Sequence, residues 1–196
     1  MKPIPGKYFG VLLLLCIFGI FELHSQSERN TWQKTVDAYI DANQPKKADS
    51  VLQKQQETFL QAGQPDSLYQ FPGKIGRIAK LQYDAKTAAA KAEAFISYLK
   101  TKTNNPRTLS KAYLDIDKLY VFLIDDQNAL KSSLTALQYA KLIPDLTQEE
   151  LGEINYAIGG NYYALYDLAN ALQYFKASAS AYERSAAVKK DILADA

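Results

Sequence analysis

One pattern of small and aromatic residues recurs four times along this chain, and it limits the possible folds more than any other feature. The clearest copy lies at 155–179, where Ile158 and Gly159 precede Tyr162, and Ala171 follows in the next predicted helix. Related patterns occur 42 residues earlier, then 41 and 40 residues earlier again. A fixed period of this length is typical of an array of helical pairs in which each pair contacts only its neighbours.

The small residues of the pattern have a physical role, because two helices cross closely only where a small side chain lies at the contact. The third copy departs from this rule, since Asp117 replaces the small residue. Asp84, Asp125 and Asp167 each precede a predicted second helix and are typical N-caps. Proline and glycine fall between the pairs, and no β-type alternation competes with the helical period. The predicted helices span 28–42, 46–62, 68–83, 85–102, 107–123, 126–142, 148–165 and 168–187.

The segment 155–179 resembles the tetratricopeptide repeat. The resemblance implies an all-α fold, a tetratricopeptide-like right-handed superhelical solenoid of about four helix pairs with a period of about 41 residues. We expect this repeat domain at 26–190 and the start of an incomplete further repeat at 191–196. The four expected pairs lie near 28–62, 68–102, 107–142 and 148–187.

Residues 1–25 have the pattern of a secretory signal peptide. Two lysines precede an uncharged run at 8–21, which is too short to cross a bilayer as a helix. Small residues place the expected cleavage site between Ser25 and Ser27. An uncleaved membrane anchor and lipidation of Cys16 are the alternatives. We expect export through the secretory pathway to the periplasm, the cell surface or the medium.

The sequence after residue 25 offers few groups for catalysis. It contains no cysteine, histidine or methionine, because the single copies in the chain are Cys16, His24 and Met1. Thiol nucleophiles, histidine bases and Cys or His metal clusters are therefore excluded there. The net charge of +2 gives no field that would attract nucleic acid or acidic membranes. We expect no enzyme activity, no cofactor, no metal, no nucleic-acid partner and no membrane contact by the mature chain.

Two groups of charged residues suggest chemistry at first sight, but their spacing predicts structural roles. Asp125 and Asp126 are adjacent at a helix start, where aspartates cap the helix more often than they bind metal. Arg107, Lys111 and Asp115 follow one another at one-turn spacing, which is typical of an exposed, ion-paired helix face.

The chain also looks like the front region of exported bacterial tetratricopeptide proteins that end in a CHAT domain, a caspase-like module. The segments that carry this resemblance are 66–70 (DSLYQ), 105–109 (NPRTL) and 160–167 (GNYYALYD). In that family, repeats recognise a partner, and a distant C-terminal His and Cys cleave peptides. Since neither residue occurs after 25, the resemblance implies a non-catalytic, exported protein-interaction scaffold. The alternative is a regulatory fragment of a caspase-like protease whose catalytic module is missing from this chain.

A peptide or protein partner is expected on the concave face, which the first helix of each pair lines in a tetratricopeptide solenoid. Positions beside the core pattern form a basic centre followed by aromatics, which favours an acidic peptide or a C-terminal carboxylate. The alternative is that the cations are only solvated and the tyrosines only pack. The uncapped last repeat is a second expected contact. The predicted partner-binding residues are Arg77, Lys80, Leu114, Lys118, Val121, Tyr156 and Tyr163.

Overall fold

The computed structural model describes residues 31–194, with side chains described as far as 186. Throughout this range the chain forms helices and turns without strands, which confirms the predicted all-α class. The predicted signal peptide at 1–25 lies outside the described residues, so its cleavage and the export of the chain stay predictions. None of the helices that the structure describes is long and apolar enough to cross a membrane.

Eight α-helices and one 3-10 helix follow one another in the described part of the chain, and their order agrees with the predicted order. They are α1 (31–41), α2 (Pro45–Gln61), the 3-10 helix (Pro65–Gln70), α3 (Phe71–Lys80), α4 (Ala85–Lys100), α5 (Pro106–Phe122), α6 (Asp126–Ala140), α7 (Gln148–Ala164) and α8 (Leu168–Ala194).

The starts of the later helices are fixed by the side chains that the sequence singles out. Asp84, Asp125 and Asp167 each accept a hydrogen bond from the backbone amide three residues later, at 2.7, 3.2 and 3.2 Å. Thr147 and Glu150 form a capping box at the start of α7, each bonding the other's backbone amide. These bonds satisfy amides that have no partner within the helix, and the three aspartate caps confirm the prediction.

The main departure from the predicted helices is at 68–83. A 3-10 helix occupies Pro65–Gln70, and the α-helix begins only at Phe71 and ends at Lys80. Pro72 explains this start, because proline has no amide hydrogen and fits an α-helix only in its first turn. The predicted start at 68 and the predicted end at 83 were both wrong, since each lies three residues outside α3.

The last helix also differs from the predicted one. It continues to Ala194 instead of ending at 187, so 191–194 extend α8. The expected start of a further repeat at 191–196 stays a prediction.

By its contacts the chain divides into two compact units, Met1–Gln55 and Gln56–Ala196. In the first unit, α1 buries Trp32, Val36 and Ile40 at helical spacing. The turn after α1 places Asn43 at a φ of 52°, a left-handed conformation that asparagine tolerates better than most residues.

In the second unit each odd-numbered helix packs against the helix that follows it, α3 on α4, α5 on α6 and α7 on α8. Helix α5 also packs against α3 and α7. Small residues of the repeated pattern lie at these contacts, where Gly76 faces the side chain of Leu119 and Gly159 faces the ring of Phe175. Ala171 of the same pattern is buried. Close helix approach therefore accounts for the small residues in the sequence.

Candidate partner-binding surface

Helices α3 and α5 bring three cationic side chains together around one carboxyl group. Lys74 and Arg77 come from α3, and Lys118 comes from α5, together with Asp115. They line an open cavity of about 290 Å³, which we call the basic cavity. Lys74 and Arg77 are three residues apart on α3, and Asp115 and Lys118 are three residues apart on α5. Each pair therefore lies on one face of its helix.

Asp115 joins the two helices, because its carboxylate caps the start of α3. The amide of Gly73 donates a hydrogen bond to Asp115 Oδ2 at 2.7 Å. A Cβ atom at position 73 would lie 3.0 Å from both the backbone oxygen and the carboxylate oxygens of Asp115, closer than a side chain normally packs. Glycine at 73 therefore permits the approach of α5 to the first turn of α3.

The electrostatics of the basic cavity depend on this half-buried carboxyl group. Burial raises the pKa of Asp115 to about 6, although the Gly73 amide and the charges of Lys118, Lys74 and Arg77 act in the opposite direction. At neutral pH Asp115 is therefore mostly ionised, and it offsets part of the positive charge around it. Protonation near pH 6 removes that offset.

Apolar surface borders the cations. The guanidinium of Arg77 lies over the ring of Phe122, 6.0 Å from its centroid. Phe122 is 56% exposed and the adjacent Val121 is 52% exposed. Lys118 forms an exposed ion pair with Glu153 of α7, with the two charged atoms 3.5 Å apart. The surface thus combines positively charged side chains that contact neighbouring residues with exposed apolar side chains.

The seven predicted partner-binding residues do not all belong to this surface. Arg77 and Lys118 both line the basic cavity. Lys80 and Val121 are exposed on the same two helices, outside the residues that line it.

The prediction for Leu114 needs correction, since this side chain is only 6% exposed. Leu114 packs in a cluster with Ile143, Ile154 and Ile158, because α7 covers this side of α5. It stabilises the contact between helices and is not available to a partner.

Tyr156 and Tyr163 are exposed on α7, as the prediction requires. Neither lines the basic cavity. The ring of Tyr156 also contacts that of Phe175 on α8, with centroids 5.6 Å apart. These tyrosines are therefore exposed aromatic side chains of α7 that lie outside the basic cavity.

The interpretation of Arg107, Lys111 and Asp115 as one ion-paired face was wrong. Arg107 Nε lies 3.0 Å from Glu150 Oε1, and Arg107 also pairs with Asp145, so its partners come from the segment before α7 and from α7 itself. Lys111 approaches the same Glu150 at 3.6 Å. Asp115 faces α3 instead, and this long-range choice of partners has no local signal in the sequence.

Lys74, Asp115 and Phe122 were missed as members of the site. The only available signal was the helical spacing of Lys74 with Arg77 and of Asp115 with Lys118. Within the described residues no group of three or more His, Cys, Asp or Glu side chains is arranged to hold a metal ion.

Comparison of the chain with protein-family models, with curated proteins and with solved structures gave no match. The resemblance to tetratricopeptide repeats and to CHAT-domain proteins therefore rests on the sequence pattern.

Proposed function

We propose that this chain is a non-catalytic protein-interaction scaffold that binds an acidic peptide, or an acidic segment of a protein, over α3 and α5. One observation carries the proposal: three cations from two helices converge on a cavity of about 290 Å³ beside the exposed Phe122. Arginine and lysine orient carboxylates, and an adjacent ring supplies contact area. Tyr156 and Tyr163 on α7 extend the surface for a longer ligand.

We further propose that the helices form the tetratricopeptide-like solenoid, with the basic cavity on its concave face. Hydrogen bonds between side chains and partners about one period apart support this arrangement. Gly73 bonds Asp115, 42 residues away, and Arg107 bonds Glu150, 43 residues away. Such regular separations are expected when equivalent helices of successive repeats lie side by side.

Export, and a place as the recognition part of a longer CHAT-type protein, belong to the same proposal and are supported by the sequence. A second protein contact is proposed on α8, where Leu168, Leu172 and Tyr182 are exposed. Exposed apolar side chains grouped on one helix are typical of interaction surfaces.

Reversing one charge of the basic cavity is expected to weaken peptide binding at least tenfold. The probe is a fluorescent peptide of alternating glutamate and phenylalanine with a free C terminus, followed by fluorescence anisotropy. Arg77→Glu and Lys118→Glu each replace an attraction by a repulsion at the proposed contact. We also expect binding by the unchanged chain to weaken as salt is added, since the contacts are exposed and screened.

Lys91→Glu is the matched control, because Lys91 is exposed on α4 outside the basic cavity and the substitution changes the net charge by the same amount. It should leave the affinity unchanged. Equal losses in all three variants would mean that only overall charge matters, and would contradict a site on α3 and α5.

Acidification is expected to strengthen this binding. Between pH 7.5 and 5.5 Asp115 takes up a proton, because its pKa is raised to about 6, whereas the glutamates of the peptide stay largely ionised. Removing one repulsive charge at a partly exposed site is worth about 1 kcal/mol, or about fivefold in affinity. Titrations at the two pH values measure this change.

Asp115→Asn serves as the reference for that experiment. Asparagine keeps an oxygen that can accept the hydrogen bond from Gly73 but does not titrate. Its affinity should be close to the acidic value at both pH values. A native-like pH dependence in Asp115→Asn would assign the effect to another group.

A further inference from the structure

A second cavity lies on a different side of α5, between α4 and α6. The structure describes both of these helices in full, and their backbones do not contact each other although each packs against α5. The space between them has a volume of about 270 Å³. Tyr113, Ile116 and Tyr120 of α5 line it, whereas Lys118 and Phe122 of the same helix line the basic cavity. We call the second space the α4–α6 cavity.

One end of the α4–α6 cavity presents fixed positive charge. Lys100 Nζ donates a hydrogen bond to Tyr113 Oη at 2.8 Å. It also lies 5.1 and 5.8 Å from the ring centroids of Tyr113 and Tyr139, which stack on each other. The bond to Tyr113 raises the pKa of Lys100, so the ammonium stays charged. Lys131 of α6 also lines the cavity, but it lies two turns before Tyr139 and therefore away from Lys100. The ammonium group of Lys100 and the hydroxyl group of Tyr113 form a donor set suited to a carboxylate.

Further along the cavity, the carboxylate of Glu93 provides a hydrogen-bond acceptor. Glu93 lies on the same face of α4 as Lys100, two turns earlier, which is about 10.5 Å along the helix. The hydroxyl of the buried Tyr120 donates a hydrogen bond to Glu93 Oε1 and so helps to orient this carboxylate. A carboxylate can accept several hydrogen bonds, so Glu93 retains the capacity to bind a ligand ammonium group.

Hydroxyl groups line the walls between these two regions. Ser97, Ser132 and Thr135 each donate their proton to a carbonyl oxygen of their own helix, at 3.2, 2.8 and 2.8 Å. Their oxygens are then left as acceptors on helices that line the cavity. Acceptors in this position are suited to ligand N–H groups.

We infer that the α4–α6 cavity binds a short free peptide, with its terminal carboxylate at Lys100 and Tyr113 and its amino group at Glu93. An extended chain advances about 3.3–3.6 Å per residue, so about three residues match the separation between Lys100 and Glu93. The volume restricts the ligand to small side chains. This site is separate from the proposed protein-binding surface, because none of its residues lines the basic cavity.

Calorimetric titration of the full chain with Ala-Ala-Ala tests the inference. We expect saturable binding by the free tripeptide, and at least tenfold weaker binding by its N-acetyl and C-terminal amide forms, since each loses one charged end. Inorganic phosphate and acetate are the probes for a simple anion site. Binding of acetate or the N-acetyl form as tight as that of Ala-Ala-Ala would overturn the assignment, and so would the absence of tripeptide binding.

Substitutions locate the bound peptide. Lys100→Gln should weaken tripeptide binding at least tenfold, whereas Lys102→Gln should leave it unchanged. Lys102 comes two residues after Lys100, just beyond the end of α4. Its Nζ lies 5.1 Å from the centroid of the Tyr98 ring, and it does not line the cavity. Equal effects of the two substitutions would contradict the site.

Ser97→Phe provides a second test that removes no charge. Ser97 is exposed, and the larger ring would fill the cavity, so tripeptide binding should be lost while circular dichroism keeps its helical signal. Retained binding in Ser97→Phe would overturn the inference. Arg77→Glu should bind the tripeptide as the unchanged chain does, which separates failure of this site from failure of the protein-binding surface.

Discussion

Gly76→Leu is expected to lower the free energy of unfolding by about 3 kcal/mol, the upper part of the usual range for overpacking a core. A Cβ atom at position 76 would lie 2.1 and 2.9 Å from the two terminal methyl carbons of Leu119. Leu119 is 1% exposed and packs in a buried cluster with Ile96, Ile116 and Tyr120. Since Gly76 lies within α3, the loss would arise from the contact between α3 and α5. Urea denaturation followed by circular dichroism measures it.

Gly160→Ala is the matched control, because no atom lies within 4 Å of a Cβ placed there. Alanine favours helix over glycine, so this variant should gain about 0.5–1 kcal/mol of stability. A double variant, Gly76→Leu with Leu119→Ala, should be less destabilised than the sum of the two single effects. Additive losses in the double variant would show that the crossing of α3 and α5 is not limited by side-chain volume.

The helices and their caps could be predicted from the sequence because their signals are local. An aspartate three residues before a suitable amide, as at Asp84 or Asp167, acts within a single turn. The boundary at Phe71 was missed although its cause is also local, because the helical period continues through 68–83 and hides the effect of Pro72. Local signals therefore determined which helices exist more reliably than where they begin.

The candidate site was harder to predict, because its membership depends on which helix covers which face. Leu114 and Lys118 lie one turn apart on α5, yet α7 buries the first and leaves the second exposed. Asp115 could pair with residues of its own helix by spacing alone, but it caps α3 instead. Such choices are set by contacts between residues about 42 positions apart, and a helical period cannot encode them.

Asp117 shows how a departure from the repeated pattern is accommodated. It occupies the position of Gly76 and Gly159 in the neighbouring copies, where the sequence favours a small residue. In the structure Asp117 is 4% exposed, and Asn161 of α7 donates a hydrogen bond to its Oδ1 at 2.6 Å. The same amide group of Asn161 also bonds Ser133 Oγ of α6 at 2.9 Å. A polar network thus replaces the close contact of a glycine, and it links α5, α6 and α7.

This network makes the stability of the protein depend on pH. Burial raises the pKa of Asp117 to about 6 from an ordinary value of 3.8, although the bond from Asn161 opposes the shift. The folded state therefore binds this proton more tightly than the unfolded state. The stabilising contribution of the carboxyl group is full below about pH 4 and is lost as the pH rises through about 6.

Asp117→Asn is expected to increase the free energy of unfolding by about 3 kcal/mol at pH 7.5, which corresponds to about two pKa units. Its amide oxygen can accept the bond from Asn161 without burying a charge. The advantage over the unchanged chain should vanish at pH 4, where Asp117 is largely protonated in the folded state. Urea denaturation at several pH values measures the difference, and Asp115 does not confuse it because both chains contain this residue.

Asn161→Ala should produce the opposite pattern, because it leaves the carboxylate of Asp117 buried without its side-chain donor. A buried charge that loses its partner costs several kcal/mol, whereas a neutral carboxyl group costs less. The destabilisation by Asn161→Ala should therefore be larger at pH 7.5 than at pH 4. Parallel stability curves for the unchanged chain, Asp117→Asn and Asn161→Ala would mean that Asp117 titrates normally. The buried network would then stabilise the packing of the three helices through its hydrogen bonds alone, without a free-energy cost for burying the charge of Asp117.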